Sequence, residues 1–141
     1  QFVSEHAEPM PGAVDFVATV ARAMPVGLAT GSRRSDVDSA LRVLAGGRLE
    51  RLFKTIVTSD DVPEAKPHPA TYAKAVRDLG FEPADCVALE DSPNGILSAK
   101  GAGLRVIGIS AMHGPEKLTD ADRVVPDLRG ASLETLYSWL D

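Results

Sequence analysis

Two adjacent carboxylates, Glu90-Asp91, stand directly after the apolar run Cys86-Val87-Ala88-Leu89. A carboxylate pair where a buried strand stops is costly to desolvate unless a cation or hydrogen-bond donors meet it. Oxygen ligands at such a place suit Mg²⁺, which takes one or two carboxylates together with phosphate and water. Asp91 is the first ligand expected and Glu90 the second. The competing reading is an N-cap, with Asp91 accepting backbone N–H bonds as Ser92-Pro93-Asn94-Gly95 turns into a helix.

Two further polar stations have the same relation to an apolar run. Thr30-Gly31-Ser32 follows Val26-Gly27-Leu28-Ala29, and Lys66-Pro67-His68-Pro69 lies a short loop beyond Thr55-Ile56-Val57-Thr58. Phosphoryl transfer needs neutralised non-bridging oxygens, a divalent metal and a placed nucleophile. Thr30 offers a hydroxyl, and Gly31 a backbone N–H that a phosphate can approach closely. Ser32, Arg33 and Arg34 add donors toward the distal end of a substrate, although two arginines at a helix start also fit a solvated surface pair. Lys66 offers the ammonium, on a backbone stiffened by two prolines. Its bond to Pro67 is a candidate for the cis form. His68 reads as a helix-start residue.

The elements that must hold these residues alternate between helix and strand. Apolar spacing predicts a helix over 13–23, ended by Pro25 and followed by a strand over 26–29. Ser35 caps an expected helix over 36–44, with Gly46-Gly47 as its stop. A strand over 55–58 precedes a helix over 69–79 that starts on Pro69 and stops at Gly80. Then come a strand over 86–89, a helix over 94–101, a strand over 104–109, an edge strand at Val124-Val125 and a helix over 132–140 capped by Ser132. The strands are short and uniformly apolar, as strands buried on both faces are. That pattern implies a parallel sheet covered by helices, a three-layer α/β sandwich. In an open sheet of this kind the strand ends converge on one crevice. Residues 1–11 show no periodicity and read as a linker; the first of them is Gln1, so the start reads as the middle of a longer sequence.

Bulk properties exclude several classes. The 141 residues are 44% hydrophobic and 25% charged, ordinary for one soluble domain. A net charge of −5 argues against nucleic-acid or membrane-surface partners, which need a basic face. No apolar stretch is long enough to span a bilayer. The single cysteine, Cys86, rules out an internal disulfide, fits a cytoplasmic setting and reads as a core residue. Asp36-Val37-Asp38 and Asp120-Ala121-Asp122 repeat a carboxylate spacing but read as surface acids.

Taken in order, Leu28-Ala29-Thr30-Gly31-Ser32, Lys66-Pro67-His68-Pro69 and Leu89-Glu90-Asp91-Ser92-Pro93-Asn94-Gly95 resemble the second, third and fourth motifs of the haloacid dehalogenase superfamily. The resemblance is to its phosphoglycolate phosphatase and β-phosphoglucomutase branch. Ala99-Lys100-Gly101-Ala102-Gly103-Leu104-Arg105-Val106-Ile107-Gly108 and the lead-in Pro9-Met10-Pro11-Gly12-Ala13 are similar to that branch as well, so the match runs from about residue 9 onward. It implies a Rossmann-like core over 12–141, joined by residues 1–11 to a helical cap. It implies an Mg²⁺-dependent phosphatase or phosphomutase acting on a small phosphorylated metabolite, a phosphosugar before others. Thr30, Gly31, Ser32, Arg33 and Lys66 would bind substrate and phosphate, with Thr30 and Lys66 catalytic, and Asp91 and Glu90 would hold the metal.

The first motif of that superfamily, an Asp-x-Asp-Gly-Thr strand bearing the nucleophile, is absent from these residues. The resemblance therefore implies an open middle in the sheet, between the strands ending at Ala29 and Leu89. The aspartyl-phosphate would form on a segment outside this chain, and the chain alone would be inactive. A different class of function, a truncated domain with a non-catalytic binding role, is discriminated by Mg²⁺-dependent turnover that Asp91→Asn abolishes. Haloacid dehalogenation needs neither Mg²⁺ nor an acidic pair. A phosphoacceptor receiver domain would place the acidic pair first, and a dinucleotide fold would place Gly101-Ala102-Gly103 after a strand.

Overall fold

The computed structural model describes residues 2–4, 12–43 and 49–141. Its elements run β1 (Phe2–Ser4), α1 (Ala13–Ala21), β2 (Val26–Ala29), α2 (Arg34–Val43), β3 (Thr55–Val57), α3 (Ala70–Leu79), β4 (Val87–Glu90), α4 (Pro93–Gly101), β5 (Arg105–Ile109), β6 (Arg123–Val125) and α5 (Leu133–Trp139). The six strands form one sheet in the order β3-β2-β1-β4-β5-β6. Every neighbouring pair is parallel. The chain adds strands outward on one side of β1 and then crosses to the other, so β1 and β4 flank the point where the order reverses. Open α/β sheets bind ligands outside the strand ends at that point.

Strand alternation sorts the core into two layers. Val26, Leu28, Val87, Leu89, Ile107 and Ile109 pack with Phe16, Val20, Leu41 and Leu136 from α1, α2 and α5. Ala29, Val57, Ala88 and Val106 pack on the opposite face with Tyr72, Val76, Leu79, Ile96 and Ala99 from α3 and α4. Local chemistry sets several boundaries. Gly80 takes the left-handed conformation (φ 81°) and its N–H closes α3 on Val76 O and Arg77 O. The Ser92 side chain accepts from Gly95 N–H to start α4. Ser132 and Thr135 cap α5 reciprocally.

The α/β architecture with a parallel Rossmann-like sheet agrees with the sequence expectation, and four details differ. The middle of the sheet is not open: Phe2–Ser4 pairs with β2 and with β4, filling the place expected to be vacant. Part of the expected linker is thus a strand, because two parallel edges leave N–H and C=O groups that any extended segment satisfies; the rest of the linker, residues 5–11, lies outside the described residues. Ser35 lies inside α2, which begins one residue earlier and whose Arg34 N–H is met by Asp60 Oδ2 at 2.8 Å. The stop expected at Gly46-Gly47 lies outside the described residues. Finally, β4 runs on to Glu90, and that single residue decides which way its side chain faces.

Candidate active site

Alternation along β4 places Val87 and Leu89 against one helical layer and Ala88 against the other, and Glu90 turns toward the second. Its carboxylate is 1% exposed. Glu90 Oε1 accepts from Lys66 Nζ at 2.7 Å and from the Tyr72 hydroxyl at 2.6 Å. Lys66 Nζ also donates to Ala29 O at 3.3 Å and lies 4.8 Å from the Tyr72 ring centroid. The lysine therefore reaches across the end of the sheet from β2 to β4, in front of the β1 slot. The Lys66–Pro67 bond is cis, as the sequence suggested.

Close packing holds Glu90 from behind. A Cβ built on Gly95 would lie 2.1 to 2.4 Å from the carboxyl atoms of Glu90, so only glycine leaves the acid room there. Glu90, expected as a second metal ligand, meets Lys66 and Tyr72 through Oε1.

Thr30 sits at the end of β2, 2% exposed, with its N–H on Val57 O at 2.9 Å. Its hydroxyl oxygen accepts from Ser32 N–H at 3.1 Å, which curls Gly31 and Ser32 into a turn beside the lysine. A fixed ammonium next to a threonine and turn amides is an arrangement that binds an anion. Arg33 faces solvent, 73% exposed at its side chain, with Asp36 at 3.5 Å. Arg34 is structural: it donates to Ile56 O and to Asp61 Oδ2, each at 2.8 Å. His68 starts α3 as expected, its Nδ1 accepting from Ala70 N–H at 3.1 Å.

Asp91 is buried at 3% exposure just past β4. Among the described residues no three His, Cys, Asp or Glu side chains converge as a metal cage. One hard oxygen donor beside an anion site still fits Mg²⁺, which keeps several waters and needs few protein ligands. The fit is that of a metal held largely by water and phosphate.

Two residues of this neighbourhood escape sequence reading. Tyr72 looks like an ordinary helix-face aromatic until its hydroxyl meets Glu90. His113 comes from the loop after β5, and a ring nitrogen lies 2.9 Å from Asp91 O. The signal for either is non-local.

Two acids near the sheet are tuned. Burial alone would raise Asp61, but the N–H and hydroxyl of Thr58 and the Arg34 charge outweigh it and hold the carboxyl below its ordinary range. Asp122 is likewise lowered against its burial, by Lys100 and by Val106 N–H at 2.7 Å. Asp122 lies on the surface, as expected, and there also secures β5 through Val106 N–H. Burial pushes the Cys86 thiol up, in keeping with its core position.

Residues 1–103 match the family model for haloacid dehalogenase-like hydrolases. Validoxylamine A 7'-phosphate phosphatase from Streptomyces hygroscopicus subsp. limoneus is 39% identical over 105 residues, 74% of this chain and 48% of that protein. Hexitol phosphatase B from Escherichia coli K12 is 34% identical over 128 residues, 90% of this chain and 55% of that one. The crystal structure of CbbY from Rhodobacter sphaeroides in complex with phosphate superposes with a TM-score of 0.82 at 35% identity, covering 91% of this chain and 58% of CbbY. The chain spans about half the length of these relatives.

Proposed function

This chain belongs to the haloacid dehalogenase-like hydrolase family, and on that footing we propose that it supplies the phosphate-binding half of a phosphatase site for a small phosphorylated metabolite. The carrying observation is Lys66 Nζ, buried and fixed between Ala29 O and Glu90 Oε1 one residue before Thr30. Thr30 and the Gly31-Ser32 turn hold the phosphate, and Lys66 offsets the charge that grows on the phosphoryl oxygens. Glu90 and Tyr72 keep the ammonium aimed. Asp91 holds Mg²⁺, which when bound supplies further positive charge beside the phosphate. A phosphosugar is the favoured substrate, given the donors at Ser32 and Arg33 and a relative named for hexitol phosphatase activity.

The carboxylate that receives the phosphoryl group in this family has no counterpart in β1, which carries Phe2, Val3 and Ser4. It comes, in this reading, from a segment outside the chain. The slot between β2 and β4 admits one strand, so such a segment displaces Phe2–Ser4. The same observation favours a second reading, a domain that binds phosphate without turning it over. Release of inorganic phosphate from a panel of sugar phosphates by this chain joined to a segment that carries the family's nucleophile strand, with and without Mg²⁺, separates the two, because both readings leave the chain alone inactive. Turnover that Asp91→Asn abolishes supports the enzyme. Phosphate binding without turnover supports the binding domain, and failure to bind phosphate at all sinks both.

A further inference from the structure

The loops after β2 and β3 are stitched together by a cluster to which the proposed chemistry assigns no part. Ser59 N–H donates to Ser32 O at 3.0 Å. Asp61 Oδ2 accepts from Thr58 N–H at 2.7 Å, from the Thr58 hydroxyl at 2.9 Å and from Arg34 Nη2 at 2.8 Å. The same Arg34 nitrogen reaches Ile56 O, and the Arg34 N–H is met by Asp60. One carboxylate oxygen thus ties the start of α2, directly after the Thr30-Gly31-Ser32 turn, to the loop that leads on to Lys66.

A lone ion pair this exposed (41% and 28% at the two side chains) contributes little. This one differs because the arginine also grips a main-chain carbonyl and the acid also grips a main-chain N–H. Charge-assisted bonds to backbone on both sides fix loop geometry as well as proximity. A site that binds phosphate through turn amides loses affinity when the turn is not held ready.

We propose that Asp61, acting through Arg34, is a positioning residue that holds the Thr30-Gly31-Ser32 turn in register with the Lys66 loop. The proposal rests on the reading of that turn as phosphate-binding. Two measurements on the full chain keep it separable from that reading. The first is amide hydrogen exchange at Ser32 and Ser59 in wild type and in Asp61→Asn. The second is titration of the same proteins with inorganic phosphate. The expected result is exchange about tenfold faster at both amides, the scale of one lost charge-assisted hydrogen bond, with exchange at Ile107 unchanged and phosphate binding several-fold weaker. Unchanged exchange at Ser32 and Ser59 overturns the proposal. So does faster exchange with undiminished phosphate affinity, which leaves Asp61 a loop fastener only. If wild type binds no phosphate, the phosphate-site reading and the positioning role fall together, while faster exchange still shows the fastener. Should D61N fail to fold, Arg34→Met withdraws the Nη2 donor from both Asp61 and Ile56 O and is judged by the same two measurements.

Discussion

Replacing Gly95 by alanine tests whether Glu90 is truly held. Helix propensity alone favours the change, since alanine is better than glycine inside a helix by about 1 kcal/mol. The structure predicts the opposite sign. The new methyl would meet the Glu90 carboxyl atoms at 2.1 to 2.4 Å, and that carboxylate must then move. A solvated glutamate would move at little cost, but this one is fully buried and accepts from Lys66 and Tyr72. Each hydrogen bond to a charged group contributes about 1.5–3 kcal/mol, so disturbing two against a gain of about 1 kcal/mol from the helix leaves a net loss of about 2–5 kcal/mol. For a chain of this size that is a fall in melting temperature on the order of 10 °C. Gly101→Ala is the control in the same helix: its methyl meets only Pro69, at 3.4 Å and beyond, and the change is expected to be neutral or mildly stabilising. Thermal and urea denaturation of both variants decide the matter. G95A as stable as wild type would mean that Glu90 swings freely, and the account of a rigid Lys66 would be refuted.

Lys66→Met withdraws the cation from a fully buried carboxylate, and breaking such a pair costs about 3–5 kcal/mol. The double variant Lys66→Met, Glu90→Gln should recover more than half of that in urea titrations, because the buried charge goes too; no recovery would mean that the loss is one of packing. Asp61 and Asp122 have pKa values below 3.8 when folded, so their contributions are present above that value and fade as pH falls through the lower folded ones. The urea midpoint is therefore expected to drop on acidification below about pH 4, and to drop less steeply in Asp61→Asn, Asp122→Asn. Parallel pH profiles for the two proteins would contradict the assignment.

Much of this molecule is local and was legible in the chain. Short apolar runs mark β2, β4 and β5, because a strand buried on both faces has few polar positions to spare. Ser92 and Ser132 announce α4 and α5, because an N-cap works through the nearest amides of its own chain. The order of Thr30, Lys66 and Asp91 at successive strand ends follows from the parallel topology that those runs imply. Tertiary structure alone decided the rest. Phe2–Ser4 has no pattern of its own and is a strand because β2 and β4 offer it two edges. Glu90 meets Lys66 and Tyr72 because β4 extends by one residue and alternation turns the acid toward them. Asp61 and Arg34 are 27 residues apart and meet only after β2 and β3 pair. Strand edges, alternation and loop-to-loop contacts depend on which segments become neighbours, and that is settled by the burial of the whole sheet.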